Sequence, residues 1–200
     1  MMNWGSVSKN ECGSIAPLAV VVCLVLVAAL GFAIDHGVAY AVKNRQEQAI
    51  DAARAQCMDP SGAVLAKYAE NPGLSLADDI AQSVRAQGVT APLDVWFYEA
   101  PAQAVPRSER LWIVGVQVSQ SVQLPFSGGV GLDAVTVASS RVMVAKPYAA
   151  EVVWRPERRL CGRYRFAEGS SAGAASFLPI ASIDGFPSEM VESARSGSLE

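Results

Sequence analysis

From Ile15 to Ile34 the chain reads IAPLAVVVCLVLVAALGFAI, twenty residues without a charge. A helix rises about 1.5 Å per residue, so this run makes a rod about 30 Å long, the thickness of a bilayer's hydrocarbon core. Helices in soluble cores are usually shorter and carry a polar stripe, which this run lacks. The stretch is therefore expected to cross a membrane once, with a polar-surfaced domain hung behind it. Read instead as a cleavable signal, it would place the small residues Gly31 and Ala33 ahead of a cut at Ile34. Against that, the run is longer than most signal cores and the helical pattern continues through the cut.

Pro17 falls in the first turn of this helix, where its missing N–H costs little. Ala29, Ala33, Gly37 and Ala41 recur every four residues and share one face, which would let another helix approach closely. Beyond Ile34 the sequence holds no proline and only one glycine as far as Cys57, so the helix is expected to run on as a stalk. Asp35 and His36 mark the membrane exit, and Gln46, Gln48 and Asp51 are expected to make the stalk polar on most of its circumference.

Asp59-Pro60 ends the stalk. Two short helices are expected next, over 61–70 and 76–87, the second with Ser75 and Asp78 as a capping box and Gly88 as its stop. From Leu93 the apolar period changes from 3.6 to 2. Leu93, Val95 and Phe97 alternate with polar or amphipathic neighbours, and Val114, Val116, Val118, Val122 and Leu124 do the same. A third strand spans about 133–145, where Val135 and Val137 fall out of phase with Val142 and Val144, so a bulge near Ser139 is expected. Residues 151–154 suggest a short fourth strand, and 100–109 a loop. The expected fold class is α+β: a long N-terminal transmembrane helix continuing into a stalk, two short helices and a small antiparallel β-sheet. The expected divisions are a head (1–12), the span and stalk (13–57), the short helices (58–88), the sheet domain (89–166) and a flexible tail (167–200), with a short ordered piece near Phe177 to Phe186.

Catalytic chemistry finds little support. Net charge is −3, without the basic bias of a nucleic-acid binder. Gly169-Ser170-Ser171-Ala172-Gly173 spells G-x-S-x-G, but a nucleophile elbow needs a strand before it, a helix after it and a histidine base. The only histidine is His36, at the membrane boundary. Ser6 and Lys9 fit S-x-x-K without a surrounding fold. Neither a metal nor another cofactor is expected, and the chain is read as non-enzymatic. Arg155, Arg158, Arg159, Arg163 and Arg165 stand among three aromatics, a cluster that could meet anionic lipid or an acidic partner, or simply blunt a strand edge or loop. Cys57 and Cys161 could form a disulfide in an oxidising compartment or remain two unrelated thiols.

The N-terminal half resembles the TadE/TadG-like proteins of the tight-adherence (Flp) pilus system. The likeness rests on Gly13-Ser14-Ile15-Ala16-Pro17, the aliphatic run, Gly31-Phe32-Ala33-Ile34-Asp35 with Tyr40, and then Gln46, Gln48, Ala49, Asp51, Ala52 and Ala53. A valine-rich strand running into Leu124-Pro125-Phe126, and another ending at Val142 to Lys146, extend it to about residue 146. The resemblance implies a minor-pilin-like or accessory component of pilus assembly or a related secretion system. Its partners would be the cytoplasmic membrane and other assembly proteins with N-terminal helices, with the head cytoplasmic and the domain outside. Basic residues alone, Lys9 before the span against Lys43, Arg45 and Arg54 after it, point the other way, but a segment this long translocates with little regard to such a count. Members cut by a prepilin peptidase at the position of Gly13 and Ser14 typically carry a glutamate five residues after the glycine. Here that residue is Leu18, which favours a permanently anchored accessory protein over a shaft subunit. The reading from another class is an anchored or secreted extracytoplasmic module that binds envelope components.

Overall fold

The computed structural model describes residues 15–58, 69–99, 111–131, 133–145, 161–170 and 173–195. Its first element, α1 (Ile15–Cys57), is one uninterrupted helix of 43 residues. The chain divides into two compact units, one of residues 1–40 with 122–135 and one of residues 41–121 with 136–200.

The second unit is built on a five-stranded antiparallel sheet: β1 (Leu93–Glu99), β2 (Trp112–Gln123), β3 (Ala134–Ala145), β4 (Gly162–Phe166) and β5 (Ser176–Pro179). The spatial order is β3-β2-β1-β4-β5. Register puts Val95 opposite Val116 on one side and Tyr164 on the other, and Leu93 opposite Val118 and Phe166. These residues therefore share one face, and all are buried with Ala49, Ile50 and Ala53 of α1 and Leu76, Ile80 and Val84 of the next helix. Burying each large side chain contributes about 1.5–3 kcal/mol, so this layer of valines and aromatics accounts for the core.

That next helix, α2 (Pro72–Ala86), begins earlier than the expected 76–87. The reason is local: Asn71 takes the N-cap, its side chain accepting from the Leu74 amide at 3.0 Å, and Pro72 fills the first turn. Ser75 thus lies inside the helix rather than capping it. Past its end Gly88 holds a φ of 75°, as expected of a stop. Arg85 in the last turn donates to the carbonyls of Val89 and Ala91 at 2.7 Å and of Ala167 at 3.1 Å, tying the helix to the turn after β4.

The opposite face of the sheet is covered too, by part of the closing segment, in which a short ordered piece is expected near Phe177 to Phe186. A 3-10 turn (Ile183–Gly185) and α3 (Ser188–Arg195) place Phe186 and Met190 against Trp96. Gly115 makes room for them, since a Cβ there would lie 2.7 Å from the Met190 sulfur. Val142 packs on this cluster as well, which accounts for the two phases in β3: Val137, Ser139 and Met143 are buried in one phase, and Val142 serves the other face. Gln46 departs from the polar stalk in being buried at 1% exposure, while Gln48 and Asp51 are exposed. The expected helix over 61–70 lies outside the described residues except for 69 and 70, which form a bend, and the loop over 100–109 and the strand over 151–154 lie outside them altogether.

Candidate functional site

The first unit carries the apolar helix. An 18-residue window of α1 has a mean hydropathy of 2.8 and is 6% buried, so the run is not the core of this chain. It is long and apolar enough to cross a membrane, and its valines and leucines face outward. Ala29, Ala33, Gly37 and Ala41 are all exposed, and a Cβ added at Gly37 would meet nothing within 4 Å. The residues of α1 buried within the first unit, Gly31 and Asp35, lie on a different side of the helix, since two residues along a helix turn the side chain by about 200°.

Asp35, expected to mark the membrane exit, is 1% exposed. Its carboxylate accepts from the Ser127 amide at 2.6 Å, the Ser127 hydroxyl at 2.6 Å and the Phe126 amide at 3.3 Å. These donors stand at the start of a 3-10 turn (Ser127–Val130) closed by Gly131 in the left-handed region. One turn of α1 earlier, Gly31 lets Phe126 lie directly on the helix, since a Cβ there would come within 2.9 Å of Phe126 Cβ. Glycine and aspartate four residues apart thus make a seat and a latch for the Leu124–Gly128 segment. No local pattern pairs Asp35 with Ser127, 92 residues away, and the sequence reading missed the contact.

In the second unit the arginine cluster is only partly visible: Arg155, Arg158 and Arg159 lie outside the described residues. Arg163 and Arg165 are in β4, alternating with buried Tyr164 and Phe166, and both are spent on Asp94 of β1. Arg163 grips it with two bonds at 2.9 and 2.6 Å and lies over the Trp96 ring; Arg165 adds two more at 2.9 and 3.3 Å. Burial works to raise the Asp94 pKa, but the hydrogen bonds and charges of the two guanidiniums outweigh it and hold the carboxyl below its ordinary range. The strand is thus interior to the sheet, not a charge-blunted edge. Cys57 carries a free thiol, so it is not joined to Cys161; Cys161 Sγ instead accepts from the Glu99 amide at 3.3 Å. Tyr164 donates to Asn71 at 3.2 Å, and burial pushes its phenol up to about 12.

Gly13 and Ser14 lie outside the described residues, as does Ser171 of the G-x-S-x-G run. After that run comes β5 rather than the helix an elbow needs. Among the described residues no group of His, Cys, Asp and Glu is placed to hold a metal ion.

The fold and the latch define an α+β protein carrying, among its described residues, one helix fit to cross a membrane. Residues 13–53 match the Tad family model of TadE/G-like proteins of Flp pilus assembly, in agreement with the resemblance carried by the same residues. The match ends before the sheet, so it does not extend to the likeness read over the β-rich region. No curated protein and no solved structure matches the chain.

Proposed function

We propose that this protein is a membrane-anchored accessory or minor-pilin-like component of Flp pilus assembly or a related secretion system. It holds its N-terminal head in the cytoplasm and its sheet domain outside. The observation that carries the reading is the family match over residues 13–53, which falls on α1 and its apolar surface. The protein acts by contact rather than catalysis: the face of Ala29, Ala33, Gly37 and Ala41 is open to a neighbouring helix, where small residues permit close backbone approach. The arginine cluster is a weaker basis for ligand binding, because Arg163 and Arg165 are already engaged by Asp94.

The test is deletion of the gene in its own host, with surface pili counted by electron microscopy and secreted protein measured. Loss of assembly or export, restored by the wild-type chain and not by the Ala33→Leu, Gly37→Leu double variant, is the expected result. Unchanged pili and secretion in the deletion strain would rule the assignment out.

A further inference from the structure

Phe126 is held at a level of α1 where the rest of the helix is clad for lipid. Its contact with Gly31 places it about one helical turn, roughly 5.4 Å, to the apolar side of Asp35. Around that level the side chains of α1 are apolar and turned outward, with Leu30 at 64%, Phe32 at 58% and Ile34 at 49% exposure. The bilayer cannot end below them, since the helix up to Leu30 alone gives about 24 Å against a hydrocarbon core of about 30 Å. Phe126 is itself 55% exposed, so its outward side continues the apolar belt. The run from Leu124 to Leu132, LPFSGGVGL, contains no charge. Its amides at Phe126 and Ser127 and the Ser127 hydroxyl are satisfied by Asp35, which is what backbone near hydrocarbon requires.

We propose that the Leu124–Gly128 segment is a second membrane contact: an interfacial wedge that Asp35 latches to α1, with the outer side of Phe126 against lipid acyl chains just below the headgroups. Aromatic rings favour that boundary, and apolar groups buried there reach about 5–10 Å below the surface. The wedge rests on the reading of Ile15–Ile34 as a membrane span, and the test separates the two. The full chain is reconstituted in phosphatidylcholine vesicles whose acyl chains carry bromine either near the headgroup or near the chain end. Tryptophan quenching is then read as the excess over the wild-type protein, which has four tryptophans. Val25→Trp marks the span and is expected to be quenched most by the deep bromines. Phe126→Trp is expected to be quenched about twofold more by the shallow bromines than by the deep ones. If Val25→Trp is unquenched by both lipids, the span fails and the wedge with it. If Val25→Trp is quenched and Phe126→Trp gives no excess, the span stands and the wedge is overturned. An unquenched Phe126→Trp signal from a chain that runs as a dimer would mean a second copy covers the ring, which also overturns it. Should Phe126→Trp lose the native circular dichroism, Pro125→Trp at the adjoining exposed position carries the same comparison.

Discussion

Two glycines of α1, Gly31 and Gly37, answer to different neighbours, and alanine at each separates internal docking from external packing. At Gly31 the new methyl would lie 2.9 Å from Phe126 Cβ, so Gly31→Ala should cost about 1–3 kcal/mol through overpacking. Hydrogen exchange is the sensitive readout, because the Ser127 and Phe126 amides should lose protection as the latch opens. At Gly37 nothing stands in the way, and Gly37→Ala should leave those amides unchanged while improving helix propensity by up to about 1 kcal/mol. Equal loss of protection in both variants would remove the seat from the account. Asp94 offers a test in pH. Its folded pKa lies below the unfolded value of about 3.9, so its contribution is complete above that value and is lost as pH falls through the folded pKa. Asp94→Asn should therefore destabilise by about 1.5–3 kcal/mol at pH 7, with the gap to wild type closing below about pH 4 in urea titrations. A gap that stays constant from pH 7 to pH 3 would show that the carboxylate's charge is not what binds β1 to β4.

Among the elements, α2 shows how a cap can also join layers. Asn71 Oδ1 accepts both from the Leu74 amide, starting the helix, and from the Tyr164 hydroxyl, fastening it to β4. Asn71→Ala should cost about 1–2 kcal/mol, and Tyr164→Phe about 1 kcal/mol, because it removes only the second bond. If Tyr164→Phe proves as damaging as Asn71→Ala in thermal melts, the shared acceptor is not the link. This start of α2 was present in the sequence as Asn71-Pro72, but the later Ser75 offered a competing capping box. The first three strands were legible because their period-2 valines are local. β4 was not, although Arg163 to Phe166 alternates just as strictly, because its outward positions are arginines that read as a charge cluster until Asp94 is placed beneath them. The closing segment was legible only as a short ordered piece near Phe177 to Phe186, its serine, glycine and alanine content hiding α3. What orders it is a few side chains, Phe186 and Met190 above all, whose partner Trp96 lies far off in sequence.

At the scale of the molecule, the long apolar helix and the α+β class were legible because each follows from local hydropathy and period, whereas the Asp35 latch depends on a long-range pairing with no sequence signature. The remaining question at this scale is what the mature chain contains. Among relatives of the kind that the N-terminal half resembles, cleavage after the glycine goes with a glutamate five residues on, thought to offset the freed amine of a neighbouring subunit within an apolar bundle. Here Leu18 stands at that place, 64% exposed on an apolar helix, and an unpaired amine beside it would have no counter-charge. The chain extracted from membranes is therefore expected to keep residues 1–13, read from the mass of its N-terminal peptides, and reduction should not add the two hydrogens of an opened bridge between Cys57 and Cys161. A mass lacking residues 1–13 would mean that the peptidase tolerates leucine, and would move the protein from fixed assembly factor towards filament subunit. A cut near Ile34 would carry off the helix that matches the family, and the latch of Asp35 on Ser127 would then belong to a secreted domain with a different task.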